Sequence, residues 1–398
     1  MRPDRGDVRL GRGGLMGRID TPWNLPDRTV LRADLADREI RATDFLLMAV
    51  LPFRTVEVAG LPVNELAMAA LVGLSLFRPA RGGARLHEVV VLALGALLAL
   101  LLYSGQANDV DWARRVGHVV VLAGLVWALG TGRVSLRSAG AGLGAGLVAV
   151  IALALAGIGG DTYPGRLTGF LGDPNAGAFF IAVLGVLAVV FADDRWKVRV
   201  ALAVPLLAGL VLCFSRTGLL AGAFAIFWLF AGRRLGAAGG AAVAAALVWL
   251  VDNIPEDLVL YGPFSDRSGS DSLRERIIAQ ERVELADAPW YGNGPGTARV
   301  EVRDLEFFFH NSYLAVRQEG GWIALLLVLG LVAFAFLVVS RHSRAGDLAA
   351  AGAQAALIGA AVMAITLGEV LLDTPTAIAV GFALGQSLRP PPEAVADA

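Results

Sequence analysis

The amino-acid sequence predicts an all-α integral membrane protein, with about twelve transmembrane helices and one long extracytoplasmic loop carrying short helices. Three observations lead there. Hydrophobic residues make up 56% of the chain and charged residues only 17%, against about 25% charged in ordinary soluble domains, so too little polar surface remains to coat a water-soluble globule. The charges cluster between apolar runs and leave those runs nearly empty. Several runs also reach the length that crosses a hydrocarbon core, about 20 residues. The net charge of −1 is a sum over these clusters, so it predicts no partner, and nothing supports nucleic-acid binding. The single cysteine, Cys213, lies inside an apolar run, which excludes an internal disulfide and a thiolate metal cluster.

Residues 1–43 mix nine arginines with acidic residues, Gly and Pro. They lack the apolar stretch of a cleavable signal peptide and read as a cytoplasmic, disordered tail. In 45–77, Pro52, Arg54, Glu57, Pro62 and Glu65 interrupt the pattern, which predicts a short helix, a tight turn and a second helix. The charge-free runs 89–108, 138–160, 174–192, 320–340 and 348–368 are full spans. Shorter runs at 116–132, 200–215, 217–231, 235–251 and 374–388 cross if a capping turn or a flanking arginine reaches the interface. The polar stretch 252–319 is the long loop. Its part 262–272, rich in Ser, Gly and Asp, reads as irregular chain. From 273 to 286, Leu273, Ile277, Ile278 and Leu285 space out an amphipathic helix that Pro289, Gly292, Gly294, Pro295 and Gly296 stop. The expected organisation is a tail (1–43), a first bundle of about nine spans (44–251), the loop subdomain (252–319), three last spans (320–389) and a short cytoplasmic tail (390–398). The Ala/Gly-rich stretch 236–246 suits close helix packing in lipid.

Orientation follows from arginine and lysine, which are retained on the cytoplasmic side. With the amino terminus inside, the short inner loops hold twelve basic residues, among them Arg78, Arg81, Arg133, Arg195, Arg234 and Arg344. The short outer loops hold five: Arg54, Arg114, Arg115, Arg166 and Arg216. Both termini are then cytoplasmic and the long loop is outside, in the inner membrane of the cell.

A few residues break the apolar pattern and are candidates for chemistry. Arg166 stands between two full spans, and Arg216 interrupts a stretch that is otherwise apolar from 200 to 230. Each singly can snorkel to lipid phosphate. Taken together, with Arg274 and Arg276 in the loop, they read as an anion site, because guanidinium pairs bidentately with phosphate and keeps its charge at any pH. His87, His118 and His342 have ordinary explanations in packing or solvation. His310 follows Phe307, Phe308 and Phe309 where the loop returns to the bilayer; there an imidazole is either an interface residue or a general base near neutral pH. Asp109 and Asp111 make a DxD that reads as a solvated acidic loop, and the glycines of 292–296 read as a tight turn and not as a nucleotide site.

The order of these signals resembles the O-antigen ligase and polymerase superfamily. The matching pieces are Gly169-Phe170-Leu171-Gly172-Asp173-Pro174-Asn175 ahead of a span and Phe214-Ser215-Arg216-Thr217-Gly218 between two spans. Arg274, Pro289-Trp290-Tyr291-Gly292-Asn293-Gly294-Pro295-Gly296, His310-Asn311-Ser312-Tyr313-Leu314 and Glu319-Gly320-Gly321 follow. They cover about residues 166–328 in the family's order. Asn293 stands where a small apolar residue is common, and Arg276 competes with Arg274 for the loop arginine, with Arg274 the better spaced to Pro289.

The resemblance implies a membrane glycosyltransferase that moves a polyprenyl-diphosphate-linked glycan to an acceptor hydroxyl of a glycan or lipid, at the outer face of the inner membrane. Arg216 and Arg274, helped by Arg166, are expected to hold the diphosphate, and His310 to take the acceptor proton. Glu319 is expected to orient His310, to bind acceptor hydroxyls or to serve only as a polar helix start, and Asn311 to support in the same way. No cofactor and no metal ion is expected, and direct displacement would invert the anomeric centre. A polymerase joining lipid-linked repeat units needs the same donor site. From another class, a transporter of an anion or small solute would use the arginines to attract its substrate, although the spans contain almost no ionisable residues and no repeat relates the two halves.

Overall fold

The computed structural model describes residues 40–160, 162–253 and 268–389. The expected tail 1–43 lies outside them up to residue 39, as do the tail 390–398 and the loop stretch 254–267. The described chain is overwhelmingly helical, with two short hairpins. In the first half α1 (Ala42–Val50), α2 (Val63–Leu76), α3 (Glu88–Ala107), α4 (Ala113–Gly130), α5 (Leu136–Leu155), α6 (Pro174–Phe191) and α7 (Trp196–Leu212) follow one another. Next come α8 (Arg216–Asn253), α9 (Ser268–Ala286), α10 (Ser312–Val338), α11 (Ser340–Arg344), α12 (Leu348–Met363) and α13 (Thr374–Ser387). Among the described residues, five helices are long and apolar enough to cross a membrane: α3, α4, α5, α6 and α10. The protein is therefore an all-α membrane protein.

Small residues set the packing. Lipid gives little hydrophobic drive between helices, so association depends on close approach and on interhelical hydrogen bonds. α6 sits at the centre, against α5, α7, α8, α12 and α13. At Gly352 of α12 an added Cβ would lie 2.4 Å from Val190 of α6, and at Gly146 of α5 it would lie 2.1 Å from the Ala49 carbonyl oxygen of α1. α12 also packs along α8, where Trp228 Nε1 donates to Gln354 Oε1 at 3.1 Å and Gln354 Nε2 donates to Ser340 Oγ at 3.0 Å. These buried polar groups satisfy one another, which a low-dielectric core requires.

The region 45–77 has the expected helix, turn and helix, with a two-residue hairpin, β1 (Glu57–Val58) and β2 (Leu61–Pro62), between them. Asp44 of α1 is buried, pairs with Arg78 and accepts from the Ser135 amide at 2.8 Å, which ties the short first helix to the bundle. The runs 217–231 and 235–251 join into α8, broken at Gly236, whose φ of 62° and ψ of −167° are not helical.

Of the boundaries that differ from the sequence reading, three lie next to the loop subdomain and the return of the chain to the bundle. α10 begins at Ser312 and not at 320, because Asn311 caps it: its side chain accepts from the amides of Tyr313 and Leu314. The run 348–368 is helical only to Met363; beyond it Gly368 is pressed against the Phe309 carbonyl, an approach no side chain permits. Of the stretch 262–272 expected to be irregular, residues 268–272 are the first turn of α9, and the rest lies outside the described residues.

α9 packs on a second hairpin, β3 (Arg299–Val302) and β4 (Leu305–Phe308). Arg303 and Asp304 join the strands with φ of 57° and 63°, the backbone of a two-residue turn that matches strand twist. Ile277, Leu285, Ala298, Val300, Phe309 and Ala315 form a small core of their own between α9, the hairpin and the start of α10.

Candidate functional site

The quoted sequence motifs other than 214–218 contribute residues to the wall of one cleft, and two of them are joints between elements. In the first, Phe170 and Thr55 connect: the Phe170 carbonyl accepts from the amides of Arg54 and Thr55 at 3.1 and 3.3 Å, while Asp173 caps α6 through the amides of Asn175 and Ala176. In the second, the glycine turn 292–296 lies against the bend of α10 at Gly321, where φ is 73° and an added Cβ would stand 1.7 Å from the Trp290 carbonyl oxygen. The Asn293 amide donates to the Gln318 carbonyl at 2.7 Å. Two glycine motifs nearly thirty residues apart are thus halves of one contact.

The cleft between these joints has a volume of about 1210 Å³, more than the roughly 300–1,000 Å³ of a small-molecule pocket. Its walls include His310, Arg166, Arg274 and Glu319. They also include Arg54, Arg114 and Arg115, so four of the five arginines in short loops assigned to the outside, with Arg166 as the fourth, face one space. Arg276 is exposed and is not part of the wall, whereas Arg274 is. Arg216 is not in the wall either: it begins α8, and its neighbour Thr217 accepts a hydrogen bond at 2.7 Å from the wall residue Thr366.

His310 stands between α9 and α10. Its Nδ1 lies 3.1 Å from the Phe308 carbonyl oxygen; a carbonyl can only accept, so in the neutral ring Nδ1 carries the hydrogen and Nε2 the lone pair. The ring's pKa is lowered, first by burial and in smaller part by the charge of Arg274, with Phe308 and Asp173 opposing. The neutral form that a proton acceptor needs is thus favoured mainly by desolvation.

Arg166 is both a wall residue and a strut. Its Nε donates to the Cys213 carbonyl at 3.0 Å and its side chain also reaches the Phe214 carbonyl and Asn175, each at 3.4 Å. Burial and the nearby Arg274 lower its pKa, while Asp173 pulls the other way. Placing two like charges close enough to influence each other costs energy unless an anion comes between them.

Two supporting residues have other duties. The Asn311 side-chain oxygen is occupied in capping α10. Glu319 does not bond His310; it lies inside α10, accepts from the Gly296 amide at 3.1 Å and pairs with Arg115. Arg115 reaches Glu369 as well, at 3.4 Å. His118, read from the sequence as packing, faces the cleft 3.7 Å from Glu65. Among the described residues no group of three His, Cys, Asp or Glu is arranged to hold a metal ion.

The sequence reading missed Arg115 as the partner of Glu319, since 204 residues separate them. It also missed Glu281, whose side chain accepts the His310 amide hydrogen. The signal for Glu281 was present: it occupies the fourfold spacing of Leu273, Ile277 and Leu285, where an apolar residue belongs. In comparisons with known proteins, the chain matches no family model and no curated protein.

Proposed function

We propose that the protein is an O-antigen ligase-like glycosyltransferase, which transfers a polyprenyl-diphosphate-linked glycan to an acceptor hydroxyl at the outer face of the inner membrane. In this reading the chain crosses the bilayer twelve times with both termini inside, an orientation supported by the arginine asymmetry of its short loops. The observation that carries the reading is the joint exposure of His310, Arg166 and Arg274 in one cleft roomy enough for two substrates.

The chemistry follows from the side chains. The donor diphosphate lies against Arg274 and Arg166, with Arg216 at the adjoining turn. The acceptor hydroxyl gives its proton to Nε2 of His310 as its oxygen attacks the anomeric carbon. The bond from that carbon to the diphosphate breaks, the electron pair leaves on the phosphate oxygen, and the fixed guanidinium charges stabilise it. Attack opposite the leaving group inverts the anomeric centre. The proton passes from the imidazole to solvent after the glycan leaves.

The test is to incubate the protein purified into lipid nanodiscs with a polyprenyl-diphosphate oligosaccharide and a glycan or lipid acceptor. Donor should disappear as extended acceptor forms. An unchanged donor, with solute uptake by vesicles containing the protein, would replace this reading with a transporter.

A further inference from the structure

α9 turns a stripe at four-residue spacing toward the small core: Leu273, Ile277, Glu281 and Leu285. Ile277 and Leu285 are buried, and so is Glu281, with no exposed surface at all. Packing alone gives no reason for a carboxyl there, since an apolar side chain would complete the seam with Val300 and Phe309. What the carboxyl adds is an acceptor. Oε1 takes the backbone N–H of His310, and Oε2 is buried with no hydrogen-bond partner among the described residues. Seven residues earlier, hence on the same helix face, Arg274 enters the cleft wall. One rigid helix therefore carries both the cleft arginine and the group that grips the His310 main chain.

We propose that Glu281 is a positioning residue: it fixes the main chain at His310, so that the helix presenting Arg274 also sets where the imidazole stands. This rests on His310 being the proton acceptor in the reading above. Burial pushes the Glu281 carboxyl up to about 7 against the opposing pull of the His310 N–H and of Arg282, a tension that a seam serving only packing would not retain. Held from one side by Glu281 and through its ring by the Phe308 carbonyl, His310 keeps Nε2 at a constant place. Position matters because a small displacement of a catalytic group lowers turnover steeply.

The experiment compares Glu281→Leu, which removes the acceptor and keeps the seam apolar, with Glu281→Gln, which keeps an amide oxygen at the Oε1 position. Each variant is purified in nanodiscs and checked for monodispersity, with Glu281→Met replacing the Leu variant if that one does not purify. In the Leu variant the His310 amide should exchange hydrogen about tenfold faster and turnover should fall about tenfold or more, with donor affinity within about threefold of wild type. The Gln variant should recover the amide protection and most of the turnover. Wild-type exchange and turnover in the Leu variant would overturn the proposal, as would a Gln variant no better than Leu. If the unmodified protein transfers no glycan, the functional reading fails by itself, and the amide exchange still decides whether Glu281 holds His310.

Discussion

Arg115 meets Glu319 side-on, its Nε 3.0 Å from one carboxylate oxygen and 3.1 Å from the other. The pair joins α4 to α10, and Glu319 is 3% exposed. Breaking a buried pair leaves an uncompensated charge, so Arg115→Leu should lower the unfolding free energy by about 3–5 kcal/mol. The double variant with Glu319→Leu should lose less than Arg115→Leu alone. Denaturant unfolding of the purified proteins measures both, and additive losses would show that the two side chains act independently.

Turnover should follow the neutral fraction of His310. Its pKa is lowered by burial and by Arg274, so the rate should stay flat as pH falls to the ordinary imidazole value of about 6.5 and decline only below it. Arg274→Gln removes a charge that disfavours the imidazolium, so the declining limb should move to higher pH. The measurement is kcat against pH for both proteins, and a limb unmoved by the substitution would separate the guanidinium from the ring.

Arg274→Ala should weaken binding of the polyprenyl-diphosphate donor by about 1.5–3 kcal/mol, the worth of charge-assisted hydrogen bonds. Arg166→Ala should do the same and also lower the melting temperature, because Arg166 supports the carbonyls of Cys213 and Phe214. Titration of donor into each variant, alongside a thermal melt, checks the difference. Equal melting temperatures would deny Arg166 its role as a strut.

Gly368 tests how tightly the 364–373 loop is fitted to the site. An added Cβ would lie 1.7 Å from the Phe309 carbonyl oxygen, next to His310. Gly368→Ala should cost about 1–3 kcal/mol through overpacking and reduce turnover more than donor binding. Gly330 of α10 has open space around its Cβ position, so Gly330→Ala is the control and should be neutral or slightly stabilising.

The helices were largely legible, because charge-free runs of span length and the prolines of 45–77 leave few alternatives. Their ends were less so: the Asn311 cap starts α10 eight residues before the charge-free run does, and Gly368 meets Phe309 only in the folded chain. Within the cleft, Arg166 stands out in the sequence as a charge between two apolar spans, while His310 and Arg274 stand out by their places in the long loop and by the motif order of the resemblance. Arg54, Arg114 and Arg115 do not, because an arginine in a short loop reads as solvated until the fold turns it toward a shared space. Glu281 was visible as a charge on an apolar stripe, yet its purpose depends on His310, 29 residues away.

The central claim is that His310 removes the proton of the acceptor hydroxyl in the cleft. It is tested most directly by measuring single-turnover glycan transfer and donor binding separately in purified His310→Ala. Donor affinity should stay within about threefold of wild type while transfer slows by about a hundredfold or more, the usual worth of a general base. Transfer at a near-normal rate by a folded His310→Ala protein would contradict the assignment.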